Sequence, residues 1–226
     1  YTTPPITTGG LWISNTMGAI WTNKSPVGYS AIGFLHVASN SDGTCYIANS
    51  TDNKLFISTD SGTSWTDITN NILAGIHVTD IAMNFDGSIL YVLGHPGATP
   101  SSARCYISID GGTVWTRIFP GNVNPPPSNM PYVDIKCNAI GDVVMVVYRV
   151  GLTVNRVVSI SSDYGATWTD SSFAPVTTMT GMDYSGDNLM AFASTAPAGL
   201  FMSNNRGATW IEQDITISAL SATEGI

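Results

Sequence analysis

Two sets of side chains in this sequence have the types and the spacing to do chemistry. His36, Asp80 and Asp134 each stand seven residues before a turn glycine, Gly43, Gly87 and Gly141. Met179 and Ser218 hold the same offset before Gly186 and Gly225. If the segments carrying them are equivalent, an imidazole and two carboxylates face one channel. Such a set can hold a cation or a sugar hydroxyl, or act as acid and base. The plainer reading is that these groups bond loop backbone or channel water. The second set is cationic. Arg104, Arg117, Arg149 and Arg156 are four of only 8 Lys and Arg in the chain. Guanidinium forks suit carboxylate or sulfate groups. Tyr132 and Tyr148, with Tyr29 and Phe119, would add aromatic faces near them. The plainer reading here is four solvated rim charges, some paired with Glu212 or Asp170.

Bulk composition removes several classes of function. The net charge is −8, whereas phosphate-backbone binding draws on many Lys and Arg, so nucleic acid is not expected as partner. No run approaches 18 apolar residues, so no membrane-inserted helix is expected. Cys45, Cys105 and Cys137 are odd in number and lack CxxC spacing. They give no disulfide framework and no zinc site, and each sits in an apolar strand-like run that would bury a free thiol. No metal and no cofactor is expected. Asn23 and Asn49 open N-x-S/T triplets, "NKS" and "NST", which are glycan acceptors wherever that machinery is met. The chain opens on Tyr1 without a signal-like leader, which leads us to expect a processed product or a segment of a longer protein with flanking domains.

The elements that must position these residues come from a repeat. "STDSGTSW" (Ser58 to Trp65), "SIDGGTVW" (Ser108 to Trp115), "SSDYGATW" (Ser161 to Trp168) and "SNNRGATW" (Ser203 to Trp210) are near-copies, and "SNTMGAIW" (Ser14 to Trp21) is a weaker one. The box tryptophans Trp21, Trp65, Trp115, Trp168 and Trp210 follow one another at 44, 50, 53 and 42 residues. A period in the forties with strand-like content is what a four-stranded propeller blade occupies. From Val78, "VTDIAMN", "SILYVLG", "RCYISI" and "TVWTRIF" are four strands, A to D. A tight "FDG" turn joins A to B, a loop joins B to C, and the box joins C to D. The same order recurs in three further segments. Strand A is missing from the first unit, but "SALSATEG" (Ser218 to Gly225) matches it in order. A tail strand that completes the first blade would close a ring and leave no open sheet edge.

The box pattern resembles the Asp-box, or bacterial neuraminidase repeat, family. Boxes two to four carry its Ser, Asp, Gly and Trp; box five has Asn205 for Asp, and box one has Thr16 for Asp and Ile20 for Thr. The resemblance implies a structural role for Ser58, Asp60, Gly62 and Trp65; for Ser108, Asp110, Gly112 and Trp115; for Asp163, Gly165 and Trp168; for Asn205, Gly207 and Trp210; and for Gly18 and Trp21. It places the boxes on the face opposite a ligand site. In such a turn the Asp and Ser accept backbone N–H bonds, the Gly takes a conformation other residues resist, and the Trp folds back into the core. Each indole would contribute about 4 kcal/mol gross.

The expected fold is therefore all-β: a five-bladed β-propeller of four-stranded antiparallel blades, one domain over 1–226. Blade one spans 1–24 plus 215–226, and the others span 33–69, 77–119, 131–172 and 178–214. The expected function is a non-catalytic binding or display module, recognising glycans or another surface protein through loops at the end opposite the boxes. It would belong to a larger extracellular, cell-surface or virion-surface protein. Two alternatives stand beside it. One is a sialidase-like glycoside hydrolase with an arginine-lined site; against it, family sialidases have six blades, and no N-terminal R-I-P segment is present. The other is a purely structural fibre or capsid module.

Overall fold

The computed structural model describes residues 9–71, 76–96, 104–119, 132–149, 156–171, 178–185, 191–196 and 199–213. These form strands and tight turns, with one 3-10 turn at Thr69–Asn71. A two-stranded ribbon comes first: β1 (Trp12–Ile13) and β2 (Thr22–Asn23). Four antiparallel four-stranded sheets follow, each a meander of strands consecutive in sequence. The first holds β3 (Phe34–Ser39), β4 (Tyr46–Ser50), β5 (Leu55–Ser58) and β6 (Thr66–Asp67). The second holds β7 (Ile76–Met83), β8 (Leu90–Pro96), β9 (Arg104–Ser108) and β10 (Thr116–Ile118). The third holds β11 (Tyr132–Cys137), β12 (Val144–Arg149), β13 (Arg156–Ser161) and β14 (Thr169–Asp170). The fourth holds β15 (Thr178–Tyr184), β16 (Ala191–Ala196), β17 (Gly199–Ser203) and β18 (Ile211–Gln213). The A-to-D reading of the sequence matches these meanders strand for strand. The tail segment Ser218–Gly225 lies outside the described residues.

The sheets stack face to face in chain order, and β3, β7, β11 and β15 contact one another in succession. This stacking explains the apolar runs of the second strands in the second and third sheets. Side chains alternate between faces along a strand. In β8, Leu90 and Val92 enter the core shared with the first sheet, while Tyr91 and Leu93 enter the core shared with the third. In β12, Val144 and Val146 face back and Met145 and Val147 face forward. A strand covered on both sides has no polar face to show.

The first sheet breaks the pattern. Val37 is 54% exposed, whereas Ile81, Ile135 and Met182, its counterparts by pairing register, are 4%, 0% and 6% exposed. Leu35 beside it is also exposed. An apolar face of the kind buried at every internal stacking is open here.

Each inner strand carries a β-bulge at the same place, between Phe34 and His36, Val78 and Asp80, Tyr132 and Asp134, and Met179 and Gly181. The bulge inserts one residue and turns the next side chain. His36, Asp80 and Asp134 follow it and lie opposite Asn49, Leu93 and Val147. In the fourth sheet the equivalent residue is Gly181, opposite Ser194, and not Met179, which pairs with Thr195 before the bulge. The turn glycine misleads because Gly186 comes two residues after the end of its strand, whereas Gly141 comes four after.

Each box is a self-contained turn. In the second, Ser58 Oγ accepts from Gly62 N at 2.9 Å and donates to Asp60 Oδ1 at 2.9 Å. Asp60 Oδ1 also accepts from Thr63 N and Ser64 N at 3.0 and 2.8 Å. Ser108 with Asp110, Ser161 with Asp163, and Ser203 with Asn205 repeat the arrangement. In the first box Thr16 Oγ1 accepts from Ile20 N at 2.8 Å, so a hydroxyl serves where the pattern has a carboxylate. Two consecutive residues are left-handed: Gly18, Gly62, Gly112, Gly165 and Gly207, each preceded by Met17, Ser61, Gly111, Tyr164 or Arg206. The glycine has a second reason to be there. A Cβ on Gly165 would stand 2.6 Å from Ile118 Cδ1, and one on Gly62 would stand 2.9 Å from Ile13 Cδ1, both in the preceding sheet or ribbon. The box is thus also an inter-sheet contact. The indoles depart from expectation: Trp168 is buried, Trp65, Trp115 and Trp210 are half-buried, and Trp21 is 40% exposed.

Candidate functional site

His36, Asp80 and Asp134 come together where the inner strands of the first three sheets meet, and Lys136 joins them. His36 Nδ1 lies 3.5 Å from Asp80 Oδ1. Lys136 Nζ donates to Asp134 Oδ1 at 2.9 Å, to Asp80 Oδ2 at 3.4 Å and to the Ile135 carbonyl at 3.0 Å. Asp80 Oδ2 also accepts from Ile135 N at 2.9 Å, and Oδ1 accepts from Ile81 N at 2.9 Å. Asp80 thus ties β7 to the inner edge of β11, a strand whose only ladder partner is β12. All three ammonium hydrogens of Lys136 are engaged.

The electrostatics follow from this crowding. Burial alone would raise the Asp80 pKa. The bonds from His36 and Asp134, the Lys136 charge and the Ile135 N–H outweigh it and hold Asp80 well below the usual carboxylate range. Asp134 goes the other way. Burial, then its shared hydrogen bond with the ionised Asp80, raise it to about 6 against the pull of Lys136. Burial opposes the Lys136 charge, but the two carboxylates win and raise its pKa. The cation that two converging carboxylates invite is therefore already present, as an ammonium from the next residue pair along β11. Lys136 escaped the sequence reading because it stands two residues from Asp134 and has no counterpart in the other repeats.

The four arginines do not form one rim. Arg104 opens β9 opposite Gly94, and its Nη1 donates to Tyr106 Oη at 3.4 Å. Arg117 is displaced toward the box end. It pairs with Tyr106 in the outermost strand, one row below the row of Asp80. Its guanidinium lies 4.8 Å over the Phe119 ring, and it helps to line a cleft of about 910 Å³ between the second and third sheets. Ile109, Asp163, Tyr164 and Trp168 line the same cleft. It does not pair with Glu212 or Asp170. Arg149 and Arg156 stand directly opposite each other where β12 ends and β13 begins, and Tyr132 stands opposite Tyr148. Tyr148 offers no ring face to a ligand: it is 4% exposed, and burial and then the Asp170 carboxylate raise its phenol pKa. Tyr29 packs edge-on against Phe56 at 4.7 Å. Asn49 is 1% exposed and its Nδ2 donates to the Ser50 carbonyl, so its triplet is no glycan acceptor in the folded chain.

Another repeated device was missed. Asn40, Asn84 and Asn138 each directly follow an inner strand and are buried. Their Oδ1 atoms accept from Cys45 N, Ile89 N and Val143 N at 2.8, 2.9 and 3.1 Å, across the turn. The signal was an Asn three residues before each turn glycine, Gly43, Gly87 and Gly141. The cysteines are free; Cys45 and Cys105 are buried, and Cys137 is half-buried. Among the described residues no three His, Cys, Asp or Glu converge as a metal set, and no helix is long and apolar enough to cross a membrane.

No family model matches the chain, and no curated protein matches it by sequence. Solved structures do match by fold. The GH74 xyloglucanase of Xanthomonas campestris aligns with a TM-score of 0.67 at 15% identity, over 90% of this chain and 36% of that one. YCF48 of Cyanidioschyzon merolae aligns at 0.54 and 11%, over 83% and 57%. A structure of a nidogen/laminin complex aligns at 0.56 and 12%, over 77% and 62%. The chain spans about a third of the length of the GH74 enzymes it matches. At these identities the likeness is one of fold alone, and it is to β-propeller proteins: this chain is all-β, built of four-stranded antiparallel sheets, with propeller neighbours.

Proposed function

We propose that this chain is a non-catalytic binding module that recognises glycans bearing carboxylate or sulfate groups at the end of the sheets opposite the boxes. The observation that carries the reading is the register pair Arg149 and Arg156. Like charges directly opposite on a sheet are destabilising. An acidic chain with few cations places two of them there. An anion shared by two guanidinium groups would offset that repulsion. Arg104, Tyr132 and the inner cluster of His36, Asp80 and Asp134 lie toward the same end, the cluster as a rigid floor. The floor supports binding over catalysis, because its carboxylates are bonded to Lys136 and to backbone and offer no free acid–base pair at the spacing that glycoside hydrolysis uses. The setting we propose is the surface of a cell or virion, within a larger protein. Neighbours of this fold include glycoside hydrolases and binding proteins, so fold does not choose between the classes.

The same reading assigns five units over 1–226, the first completed by Ser218–Gly225. The exposed Val37 and Leu35 support this, as does Gly18, where an added Cβ would meet only Trp21 Nε1 at 4.0 Å. These are surfaces that a preceding sheet covers elsewhere. Truncation after Gln213 is expected to lower the melting temperature; an unchanged melt would remove the ring closure.

A glycan array probed with the isolated chain tests the function. Binding to acidic glycans that is lost in Arg149→Ala and Arg156→Ala, with the melt retained, supports it. Silence on the array would favour a display role. Turnover of a fluorogenic sialoside, abolished by Arg149→Ala, would overturn the non-catalytic assignment.

A further inference from the structure

We propose that His77 and His95 form a bidentate site for a divalent transition-metal ion, copper, nickel or zinc, on the β7–β8 hairpin. The two residues are direct cross-strand partners. Directly opposite residues of an antiparallel pair project from the same face. Their rings lie 13° from parallel with centroids 5.4 Å apart. The chain has 3 histidines, and two of them meet here.

Among the described ladders this one runs furthest past the bulge; that of the fourth sheet continues one pair, to Thr178–Ala196. The ladder between β7 and β8 continues two pairs beyond Val78 and Gly94, through His77–His95 to Ile76–Pro96. In the first and third sheets the matching ladders end at the row of Val78, at Phe34–Ser50 and Tyr132–Tyr148. The histidines therefore stand on a projection at the end opposite the boxes. Asn53 holds the backbone on either side of His77: its Nδ2 donates to the Ile76 carbonyl at 2.5 Å, and its Oδ1 accepts from Val78 N at 3.2 Å. His77 is exposed and His95 half-buried, so one side of the pair faces solvent.

The chemistry follows from the ligands. Metal–imidazole bonds are about 2.0–2.1 Å, which sets the two ligating nitrogens about 3 Å apart. The strands already hold the two side-chain roots at cross-strand distance. Closing the chelate then means turning the rings on a backbone whose ordering cost has been met by folding. Imidazole suits copper, nickel and zinc, whereas calcium and magnesium take oxygen ligands. Among the described residues no third His, Cys, Asp or Glu converges on the pair. The protein thus supplies two positions and leaves the rest to water or to a donor on a bound partner. The site is an open, exchangeable one, and copper is expected to bind more tightly than nickel or zinc. It stands independently of the glycan reading.

The test is a calorimetric titration of metal-stripped protein with Cu²⁺, Ni²⁺ and Zn²⁺, together with electron paramagnetic resonance of the Cu²⁺ form. One equivalent is expected to bind, with hyperfine coupling to two imidazole nitrogens and no response to Mg²⁺. His77→Ala and His95→Ala are each expected to weaken Cu²⁺ binding at least about tenfold, with the far-ultraviolet spectrum retained. Unchanged affinity in both folded variants would overturn the site, as would copper coupled to fewer than two imidazoles in the wild-type chain. The spectrum of the wild-type chain decides the matter even if a variant fails to fold.

Discussion

Alanine at Gly165 separates the two reasons for a box glycine. Gly165 has φ +84°, and a Cβ there would lie 2.6 Å from Ile118 Cδ1 and 3.3 Å from its Cγ2. Ile118 is 8% exposed within the core between the second and third sheets, and its Cβ also stands 3.4 Å away, so turning Cδ1 aside toward the cleft still leaves a tight contact. The left-handed backbone costs about 1–2 kcal/mol for a residue with a Cβ. Overpacking adds about 1–3 kcal/mol. Gly165→Ala should therefore cost about 2–5 kcal/mol. Gly111 is the control. It is also left-handed, at φ +64°, but a Cβ there would meet nothing within 4 Å. Met17, Ser61, Tyr164 and Arg206 occupy its place in the other boxes. Gly111→Ala loses only the backbone term, partly offset by a less flexible unfolded chain, and should cost about 1 kcal/mol or less. Ile118→Val removes the colliding atom for about 0.5–1.5 kcal/mol on its own. Combined with Gly165→Ala it should cost at least about 1 kcal/mol less than the sum of the singles. Urea denaturation followed by circular dichroism, at constant slope, gives all four values. If Gly165→Ala costs no more than Gly111→Ala, or the pair is additive, the box is only a turn and inter-sheet packing does not depend on it.

Four further outcomes are expected. Trp168→Ala should cost about 3–5 kcal/mol, and Trp21→Ala distinctly less, by thermal melts; equal losses would contradict the burial difference. Asp134 has its pKa raised to about 6 from an ordinary 3.8. Its protonated form is thus favoured by folding, and stability should fall as pH rises from about 4 to 6, by at most about 3 kcal/mol. Asp80, held low, acts oppositely: its contribution is present above pH 4 and lost as pH falls below that. Asp134→Asn should flatten the decline between pH 4 and 6, and a parallel decline would show that another group causes it. Asn138→Ala orphans the N–H of Val143, while Gly141 N keeps its bond to the Asn138 carbonyl, and should cost about 1–3 kcal/mol in the same melts. In native protein fewer than one thiol per chain should react with a disulfide reagent, because burial raises Cys45 and Cys105 and pushes Cys137 up to about 12; prompt reaction of all three would contradict the packing.

Periodic features were legible and non-periodic ones were not. The boxes and the strand order repeat, so each copy corroborates the others. His36, Asp80 and Asp134 were found in this way because the bulge that aims them also repeats. Lys136, which decides what the carboxylates can do, occurs once. So does Arg117, whose equivalents by pairing are Asp67, Asp170 and Glu212; only coordinates place its guanidinium over Phe119. The glycine offset points to Met179 and not Gly181 because Gly186 stands two residues earlier in its connection than Gly141 does, while the connection length and the strand register are unchanged. The tryptophans are equivalent in the motif, but burial of an indole depends on the sheet before it, which a box motif does not encode.

The consecutive meanders bear on synthesis. In each described four-stranded sheet every strand pairs only with a sequence neighbour, so ladder formation needs no residue that has yet to leave the ribosome. Each sheet on emergence also finds the face of its predecessor ready for burial. The Val37 face is the exception: it is made early, and under ring closure its cover is translated last. For the whole interval between, this one sheet would be sticky, and holdase chaperones would meet the nascent chain there.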